Sequence, residues 1–177
     1  MAWPGRRPPD RIETERLVLR RHAPEDAVPL NAAANESAER LRPFVPWARD
    51  LPHTLEQTRE NLARSIEGFD ADESYSYSIY DREERDLLGG AGLFPRIGPG
   101  GLEIGYWVAD AATGRGIATE AAAALVRVGF ETCGADRLEL HIDPANALSL
   151  RIPAKLRFTE VPGEDGDVLV FRRLRGA

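Results

Sequence analysis

The segment from Glu103 to Ala121 constrains the fold of this chain more than any other feature. It predicts a buried strand, a short glycine turn and a helix that begins directly after the turn. Gly114, Gly116 and the small Ala118 leave backbone N–H groups uncovered at the start of that helix. A helix N-terminus carries roughly half a positive charge and several unpaired donors, so the turn indicates a phosphate or pyrophosphate site. The alternative is an ordinary strand-to-helix turn, since short glycine patterns recur by accident.

Two common nucleotide-binding patterns do not fit this turn. The Rossmann pattern G-x-G-x-x-G needs a third small residue where Thr119 stands, and an acidic residue about 20 residues further on. The phosphate-loop pattern ends in Lys-Ser or Lys-Thr, and the sequence contains neither pair. Dinucleotide and phosphate-loop chemistry are therefore both disfavoured.

A second informative segment lies downstream, where Leu138 to Ile142 alternates like a strand and runs into residues 143–158. Together the two segments resemble the acyl-CoA-binding core of the GNAT superfamily of N-acyltransferases. The first resembles its motif A, written Q/R-x-x-G-x-G/A, and the second its N-x-x-S-x-R and K-x-G-F elements. The run from Gly105 to Trp107, with Pro43 to Trp47 upstream, resembles the ribosomal-protein N-acetyltransferase branch of RimJ/RimL type. The resemblance covers roughly residues 11 to 174.

Three positions depart from the family pattern. Thr113 occupies the Gln/Arg position of motif A, so that backbone contacts to phosphate are expected there rather than a side-chain contact. Pro153 falls where the family has a helical residue and costs about 3 kcal/mol in a regular helix, which predicts a kink or a shortened helix. Arg157 replaces the usual glycine before Phe158, so a left-handed cap there would be strained.

The composition bounds the class of protein. A chain of 177 residues that is 42% apolar and 29% charged fits one globular domain, which we assign to residues 11–177, after a Pro- and Arg-rich flexible arm at 1–10. No apolar run approaches the ~20 residues that a membrane helix needs, and the first residues lack the apolar stretch of a signal peptide. These features predict a cytoplasmic protein without a membrane partner.

The charged and metal-binding residue types exclude further classes. One cysteine, Cys133, allows neither an internal disulfide nor a cysteine-rich zinc site, and the three histidines lie far apart in sequence, so no metal is expected. A net charge of −6 argues against nucleic acid as the main ligand and suits a cationic amine. A homodimer is compatible with the sequence, although nothing in it fixes the oligomeric state.

The element pattern predicts an α/β (α+β) fold. Strands, helices and further strands in this order favour a mixed sheet with helices on both faces. Thr54 and Gln57 have the spacing of a capping box and predict a helix from 55 to about 68. The resemblance implies a mostly antiparallel, GNAT-like sheet of about six to seven strands flanked by about four helices. It also implies that the sheet splays between the strands at 102–109 and 137–143.

The function implied by the resemblance is acetyl transfer from acetyl-CoA, as cosubstrate, to a primary amine by direct transfer in a ternary complex. The amine would be a protein N-terminal α-amine or a small molecule. Two alternatives stay open: a CoA-binding regulatory module of the same fold without turnover, and an acyltransferase that uses a longer acyl-CoA such as succinyl-CoA.

Such a reaction needs a base for the amine and a partner for the departing sulfur. The resemblance places a proton-accepting carboxylate at Glu103, and burial would raise its proton affinity. His141 and an ordered water are the rival bases. The resemblance to the RimJ/RimL type also implies that Ser149 faces the CoA sulfur, in place of the family's usual tyrosine, which has no counterpart between 147 and 158. The alternative is a hydroxyl that caps a helix.

The remaining candidates are contacts to the two substrates. Asn146 would hold the pantetheine amide or cap a turn, and Arg115 would add charge near phosphate or lie on the surface. Aromatic residues are often simply core, but three positions are expected to line the acceptor pocket: Phe44, Trp47 and His141. The expected acetyl-CoA contacts are Trp107, Val108, Gly114, Arg115, Gly116, Ile117, Ala118, Thr119, Asn146 and Ser149.

Overall fold

A computed structural model describes residues 2–163 and 166–177, and its centre is one sheet with the strand order β1-β2-β3-β4-β5-β6-β8-β7. The strands are β1 (Arg11–Glu13), β2 (Leu17–Arg21), β3 (Tyr75–Asp81), β4 (Leu87–Phe94), β5 (Gly101–Val108), β6 (Arg137–Ile142), β7 (Thr159–Val161) and β8 (Leu169–Leu174). The α-helices are α1 (Ala27–Glu36), α2 (Ala38–Leu41), α3 (Leu55–Asp70), α4 (Ile117–Arg127) and α5 (Ile152–Lys155).

The mixed, mostly antiparallel α/β architecture predicted from the sequence is confirmed, because β5 and β6 form the one parallel pair among the described strands. The sheet has eight strands where about six to seven were expected. The short strands β1 and β7 have three residues each. The helices α2 and α5 have four residues each. Segments this short show no usable periodicity in a sequence.

The sheet opens between β5 and β6, as expected. The two strands pair only from Gly101↔Arg137 to Glu103↔Glu139. Beyond that point β5 continues along β4 to the pair Val108↔Gly89, while β6 continues along β8. The carboxyl-terminal halves of β5 and β6 therefore form the two walls of an opening in the sheet.

The two faces of the sheet are covered by different helices. Alternate residues of β5, among them Leu102 and Ile104, lie in the large core that α4 completes. Trp107 faces the other way and packs with Leu30 of α1 and Leu62 of α3. Because Glu103 and Gly105 share the parity of Trp107, these positions face the layer made by α1 to α3.

The helix boundaries follow local sequence chemistry. The predicted capping box is present at α3, where Gln57 N donates to Thr54 Oγ1 at 3.1 Å and Thr54 N donates to Gln57 Oε1 at 2.8 Å. Pro153 lies in the short helix α5, as its ring predicts, and Arg157 adopts the strained left-handed φ of 61°. No helix among the described residues combines the length and the apolar character that crossing a membrane requires.

The first residues do not form the flexible arm that the sequence suggested. Trp3 is 7% exposed and belongs to the main core, and its backbone N–H donates to the Asp72 carbonyl at 2.6 Å. Arg7 forms an ion pair with Asp72 at 2.7 Å. A proline- and arginine-rich composition led to the wrong expectation, because one buried tryptophan and one ion pair are enough to fix the segment against the domain.

Candidate active site

The glycine turn before α4 has the geometry of an anion site. Gly114 and Gly116 both have a φ of 73°, which is a left-handed conformation that favours glycine. Gly116 is the N-cap of α4, and no side chain caps the helix there. The first N–H groups of α4 therefore remain available for an anion.

The side chains around this turn differ in their contribution. Thr113 Oγ1 donates to Asp110 O at 2.8 Å, so that its hydroxyl is occupied locally. Arg115 is exposed, and only its carbonyl has a defined role, as acceptor from Arg16 Nη1 at 2.9 Å. Arg16 Nε also donates to Glu120 Oε2 at 2.7 Å, which ties the start of α4 to β2. A phosphate contact from the Arg115 side chain stays a prediction.

The opening in the sheet presents the free edge of β5. Ala109 N donates to Leu88 O at 2.8 Å, so by strand alternation Trp107 also bonds towards β4. Tyr106 and Val108 then direct their backbone groups to the opposite edge, where β6 has diverged. The guanidinium of Arg40 donates to the Val108 carbonyl at this edge. An extended ligand can reach the same backbone groups.

A first cavity of about 520 Å³ joins the turn to the opening, and we call it the turn cavity. It is lined by residues 113, 114 and 116–119, by the edge of β5 and by residues 145–149. Three cations also border it, namely Arg40, Arg151 and Lys155. All the expected cofactor contacts except Arg115 border this cavity. Its cations and free N–H groups suit a long, phosphorylated ligand.

A second cavity of about 460 Å³ lies on the α1–α3 face of the sheet, and we call it the histidine cavity because His22, His53 and His141 line it. Phe44, Trp47 and His141, the residues expected in an acceptor pocket, all border it. Trp47 is 44% exposed and packs edge-on against Trp107, with ring centroids 5.4 Å apart. The cavity therefore has an aromatic wall beside the opening in the sheet.

The far end of the histidine cavity is polar but uncharged. His22 Nδ1 lies 2.9 Å from Ser65 Oγ, and burial lowers the pKa of His22 to about 4. The imidazole is therefore neutral at physiological pH. Hydroxyl and amide side chains accompany it along this part of the wall, namely Thr58, Asn61, Ser65 and Ser76.

The two cavities meet at one junction. Both are bordered by Phe44, Val45, Tyr106, Trp107, Asn146 and Ser149. Asn146 Oδ1 accepts a hydrogen bond from Ser149 N at 3.3 Å, so this turn fixes the serine at the junction. A ligand in one cavity would contact a ligand in the other at these residues.

Tyr106 is a functional candidate that sequence reasoning missed. Its buried hydroxyl lies beside Ser149 and has no hydrogen bond of normal geometry within the described residues. Burial raises the pKa of Tyr106 to about 12, against a smaller opposing effect of Ser149, so the phenol stays protonated. The family's tyrosine that faces the CoA sulfur has no counterpart in residues 147–158, whereas the fold brings Tyr106 of β5 beside Ser149.

Glu103 lies at the edge of the histidine cavity, but it is not a free carboxylate. It is 9% exposed, and its two oxygens accept hydrogen bonds of 2.7 Å from Nε and Nη2 of Arg96. The pair with Glu103 raises the pKa of Arg96, which stays charged and stacks over the ring of Phe94. A proton could reach Glu103 only if this paired geometry loosened.

His141 has a different partner. Its Nε2 lies 2.8 Å from Oε2 of Glu139, a buried carboxylate of β6 that is 4% exposed. Glu139 also accepts a 2.8 Å hydrogen bond from Arg172 Nε. Burial alone would raise the pKa of Glu139, but the hydrogen bonds from His141 and Arg172 outweigh burial and lower it.

No cluster of three or more metal-binding side chains occurs in the part of the chain that the structure describes.

Comparisons with known proteins agree with this geometry. The family model described as the GNAT acetyltransferase domain matches residues 16–159. The protein named Probable N-acetyltransferase YjcK, from Bacillus subtilis (strain 168), is 32% identical over 127 residues, 70% of each chain.

Solved structures give the same result at the level of fold. The RimL ribosomal L7/L12 α-N-protein acetyltransferase in complex with coenzyme A has a TM-score of 0.81 at 19% identity, covering 93% of this chain and 97% of that one. The ribosomal-protein-S5-alanine acetyltransferase from Vibrio fischeri has a TM-score of 0.80 at 19% identity, covering 94% and 97%. The domain match and the bacterial relative show that this chain belongs to the GNAT family of acetyltransferases.

Proposed function

We propose that this protein moves an acetyl group from acetyl-CoA to a primary amine by direct transfer in a ternary complex. The observation that carries this proposal is the junction of the two cavities at Tyr106, Trp107, Asn146 and Ser149. Two cavities that open onto one point allow both substrates to bind together with their reacting atoms in contact. Such positioning supplies much of the rate in a reaction whose thioester is already activated.

The turn cavity fits acetyl-CoA along its length. The free N–H groups after Gly116 suit the pyrophosphate, and Arg151 and Lys155 supply positive charge nearby. The free edge of β5 at Val108, together with Asn146, suits the amide groups of pantetheine. The RimL structure that shares this fold is a complex with coenzyme A. The acetyl group would then lie at the junction, beside Ser149.

Direct transfer is favoured over a covalent acetyl-enzyme. The single cysteine, Cys133, is 1% exposed and lies outside both cavities, and burial raises its pKa to about 12. A buried thiol with a raised pKa provides almost no thiolate for attack. No thiol is therefore available for an acetyl-cysteine intermediate, and in the proposed reaction the amine itself attacks the thioester while the protein binds, orients and deprotonates it.

The acceptor belongs in the histidine cavity. Its aromatic wall at Phe44 and Trp47 suits an apolar segment next to the reacting amine, and its neutral far end suits hydroxyl or amide groups. Two solved proteins of this fold are described as ribosomal-protein acetyltransferases, one of them acting on an α-amine. Either a protein N-terminal α-amine or a small-molecule amine is compatible with the lining of this cavity.

The groups at the junction divide the chemistry between them. Glu103 or His141 takes a proton from the ammonium form of the acceptor, and both border the histidine cavity. Ser149, with Tyr106 beside it, donates hydrogen bonds to the thioester oxygen or to the departing sulfur. The free edge of β5 at the opening of the sheet positions the thioester within reach of these donors.

The test is release of free CoA from acetyl-CoA on incubation with amines, peptides with free N-termini and amino acids. Two-substrate initial rates should give intersecting double-reciprocal plots, because a ternary complex forms before any product leaves. Parallel plots, together with an acetylated protein detected by mass spectrometry, would contradict direct transfer. Tight acetyl-CoA binding without turnover on any amine would point to a regulatory module, and preferential use of succinyl-CoA to a longer acyl donor.

A further inference from the structure

We propose that His141 is the general base of this reaction and that Glu139 is the residue that positions it. The inference rests on the proposed function and extends it to the identity of the proton acceptor. Its structural basis is a contact between two side chains on the same face of β6, two residues apart, at the edge of the opening in the sheet.

The contact with Glu139 fixes which imidazole nitrogen is free. An ionised carboxylate can only accept hydrogen bonds, and the hydrogen bonds from Arg172 and His141 keep Glu139 ionised although its burial opposes this. His141 Nε2, at 2.8 Å from Oε2, must therefore carry the hydrogen. The neutral imidazole then has its lone pair on Nδ1, which is the nitrogen that can receive a proton.

The position of His141 suits proton transfer from a ligand in the histidine cavity. Its side chain is 28% exposed and borders that cavity, whereas Glu139 is buried behind it. β6 has already separated from β5 at this point, so no β5 residue is paired with His141. The charged groups around the pair are Arg172 on β8, Arg137 on β6, Asp143 after β6, and the Arg96–Glu103 pair from the β4–β5 region.

Glu103 is less suited to the same task. Both of its oxygens accept hydrogen bonds of 2.7 Å from the fork of Arg96, a bidentate arrangement that pairs the carboxylate with a fixed positive charge. A proton on either oxygen would neutralise the carboxylate and weaken this ion pair. His141 has no such competitor at Nδ1 among the described residues.

The protons balance with His141 as the base. The ammonium group of the acceptor gives one proton to Nδ1, which produces an imidazolium that Glu139 stabilises. The freed nitrogen forms the C–N bond as the C–S bond breaks, and a second proton leaves nitrogen and ends on the CoA sulfur. The third proton stays on the amide, and the imidazolium releases its proton to solvent before the next turnover.

The first experiment reads the tautomer and needs no substrate. Nitrogen NMR of ¹⁵N-histidine-labelled protein near pH 8, assigned with His22→Gln, His53→Gln and His141→Gln, should show His141 protonated at Nε2 only. Glu139→Gln, which keeps the size and loses the charge, should shift His141 towards a mixture of tautomers. Protonation of His141 at Nδ1 in the parent protein would overturn the proposed geometry.

The second experiment compares two acceptors that differ in basicity. Near pH 8, 2-phenylethylamine is still mostly protonated, whereas 2,2-difluoro-2-phenylethylamine has nearly the same shape and is mostly neutral. His141→Gln should lose roughly 10²-fold in kcat/KM on the first amine, a typical contribution of a general base, and much less on the second. Glu103→Gln should change kcat/KM by the same factor for both amines, because Glu103 shapes the cavity and takes no part in proton transfer.

The two experiments separate this inference from the proposed function. A basicity-dependent loss in Glu103→Gln instead of His141→Gln would make Glu103 the base and leave acetyl transfer intact. Glu139→Gln should lower kcat on 2-phenylethylamine and move the acidic limb of the pH profile to lower pH, since the imidazolium loses its carboxylate partner. An unchanged profile in Glu139→Gln would show that this carboxylate is structural only. If the parent turns over neither amine, the acceptor is not a small arylethylamine, and the tautomer of His141 alone decides the proposed geometry.

Discussion

Glu103 and Glu139 occupy the last paired positions of β5 and β6 before the sheet opens, and each is bound by its own arginine. Like charges on directly opposite residues destabilise a sheet, so Arg96 and Arg172 are needed to make this pairing favourable. The strands separate directly after this pair. Glu139 contacts Arg172 through Oε1 and His141 through Oε2, whereas both oxygens of Glu103 contact Arg96.

The buried carboxylate of Asp26 should be the main polar contribution to stability at the start of α1. It is fully buried and accepts hydrogen bonds from Arg20 at 2.8 Å, from Ser78 at 3.0 Å and from Tyr80. Asp26→Ala should reduce the free energy of unfolding in urea by about 3 kcal/mol, because it leaves two hydroxyls unpaired and removes the buried partner of Arg20, which retains its ion pair with Glu84 at 3.3 Å. Asp50→Ala, at an exposed aspartate, is the control and should change it by less than about 0.5 kcal/mol.

The neutral His22 should make stability depend on pH. Its pKa is lowered by burial from 6.5 to about 4, so in mildly acidic solution the unfolded chain binds a proton that the folded chain does not. The contribution is complete above pH 6.5 and is lost as the pH falls towards 4. Between pH 7.5 and pH 5 the loss amounts to about 2 kcal/mol. Urea unfolding of His22→Gln at the two pH values should show a correspondingly smaller difference, and an identical difference in parent and variant would contradict this account.

The glycine turn should be required for acetyl-CoA binding and dispensable for folding. Gly116→Glu places a carboxylate at the positive end of α4. The nearest atom to an added Cβ is Arg16 Nη2 at 3.5 Å, so the side chain has room, although the left-handed φ of 73° adds backbone strain. Binding measured by calorimetry should weaken about 100-fold, or about 3 kcal/mol. Gly176→Glu is a matched control, since Gly176 also has a positive φ of 81° and no atom near its Cβ position. If Gly116→Glu bound acetyl-CoA with the same affinity as the parent, the glycine turn would not be part of the acetyl-CoA site.

Local patterns were sufficient to predict the turn and the capping box, because each is encoded by adjacent residues, whereas the splayed strands were implied only by the resemblance to the GNAT family. Arg40 could not be found in this way, since it reaches the Val108 carbonyl from a four-residue helix that is 68 positions away in sequence. Glu139 was overlooked because a charged residue in an alternating strand normally faces solvent, whereas here two side chains satisfy it in a buried place. The packing of Trp3 is likewise a long-range contact that composition does not reveal.

The hydroxyls of Ser149 and Tyr106 should act together on the thioester, and a double-mutant cycle can show it. Because the pKa of Tyr106 is raised to about 12, its phenol remains a hydrogen-bond donor throughout the assay range. Ser149→Ala and Tyr106→Phe should each lower kcat about tenfold to a hundredfold without moving the pH profile, since neither removes the base. If Tyr106 acts through Ser149, the double variant should be little worse than either single one, whereas independent donors would give additive losses. Tyr75→Phe removes a hydroxyl that bonds Asp72 away from both cavities and should leave kcat unchanged. Full activity in Ser149→Ala would reduce that serine to a turn residue held by Asn146.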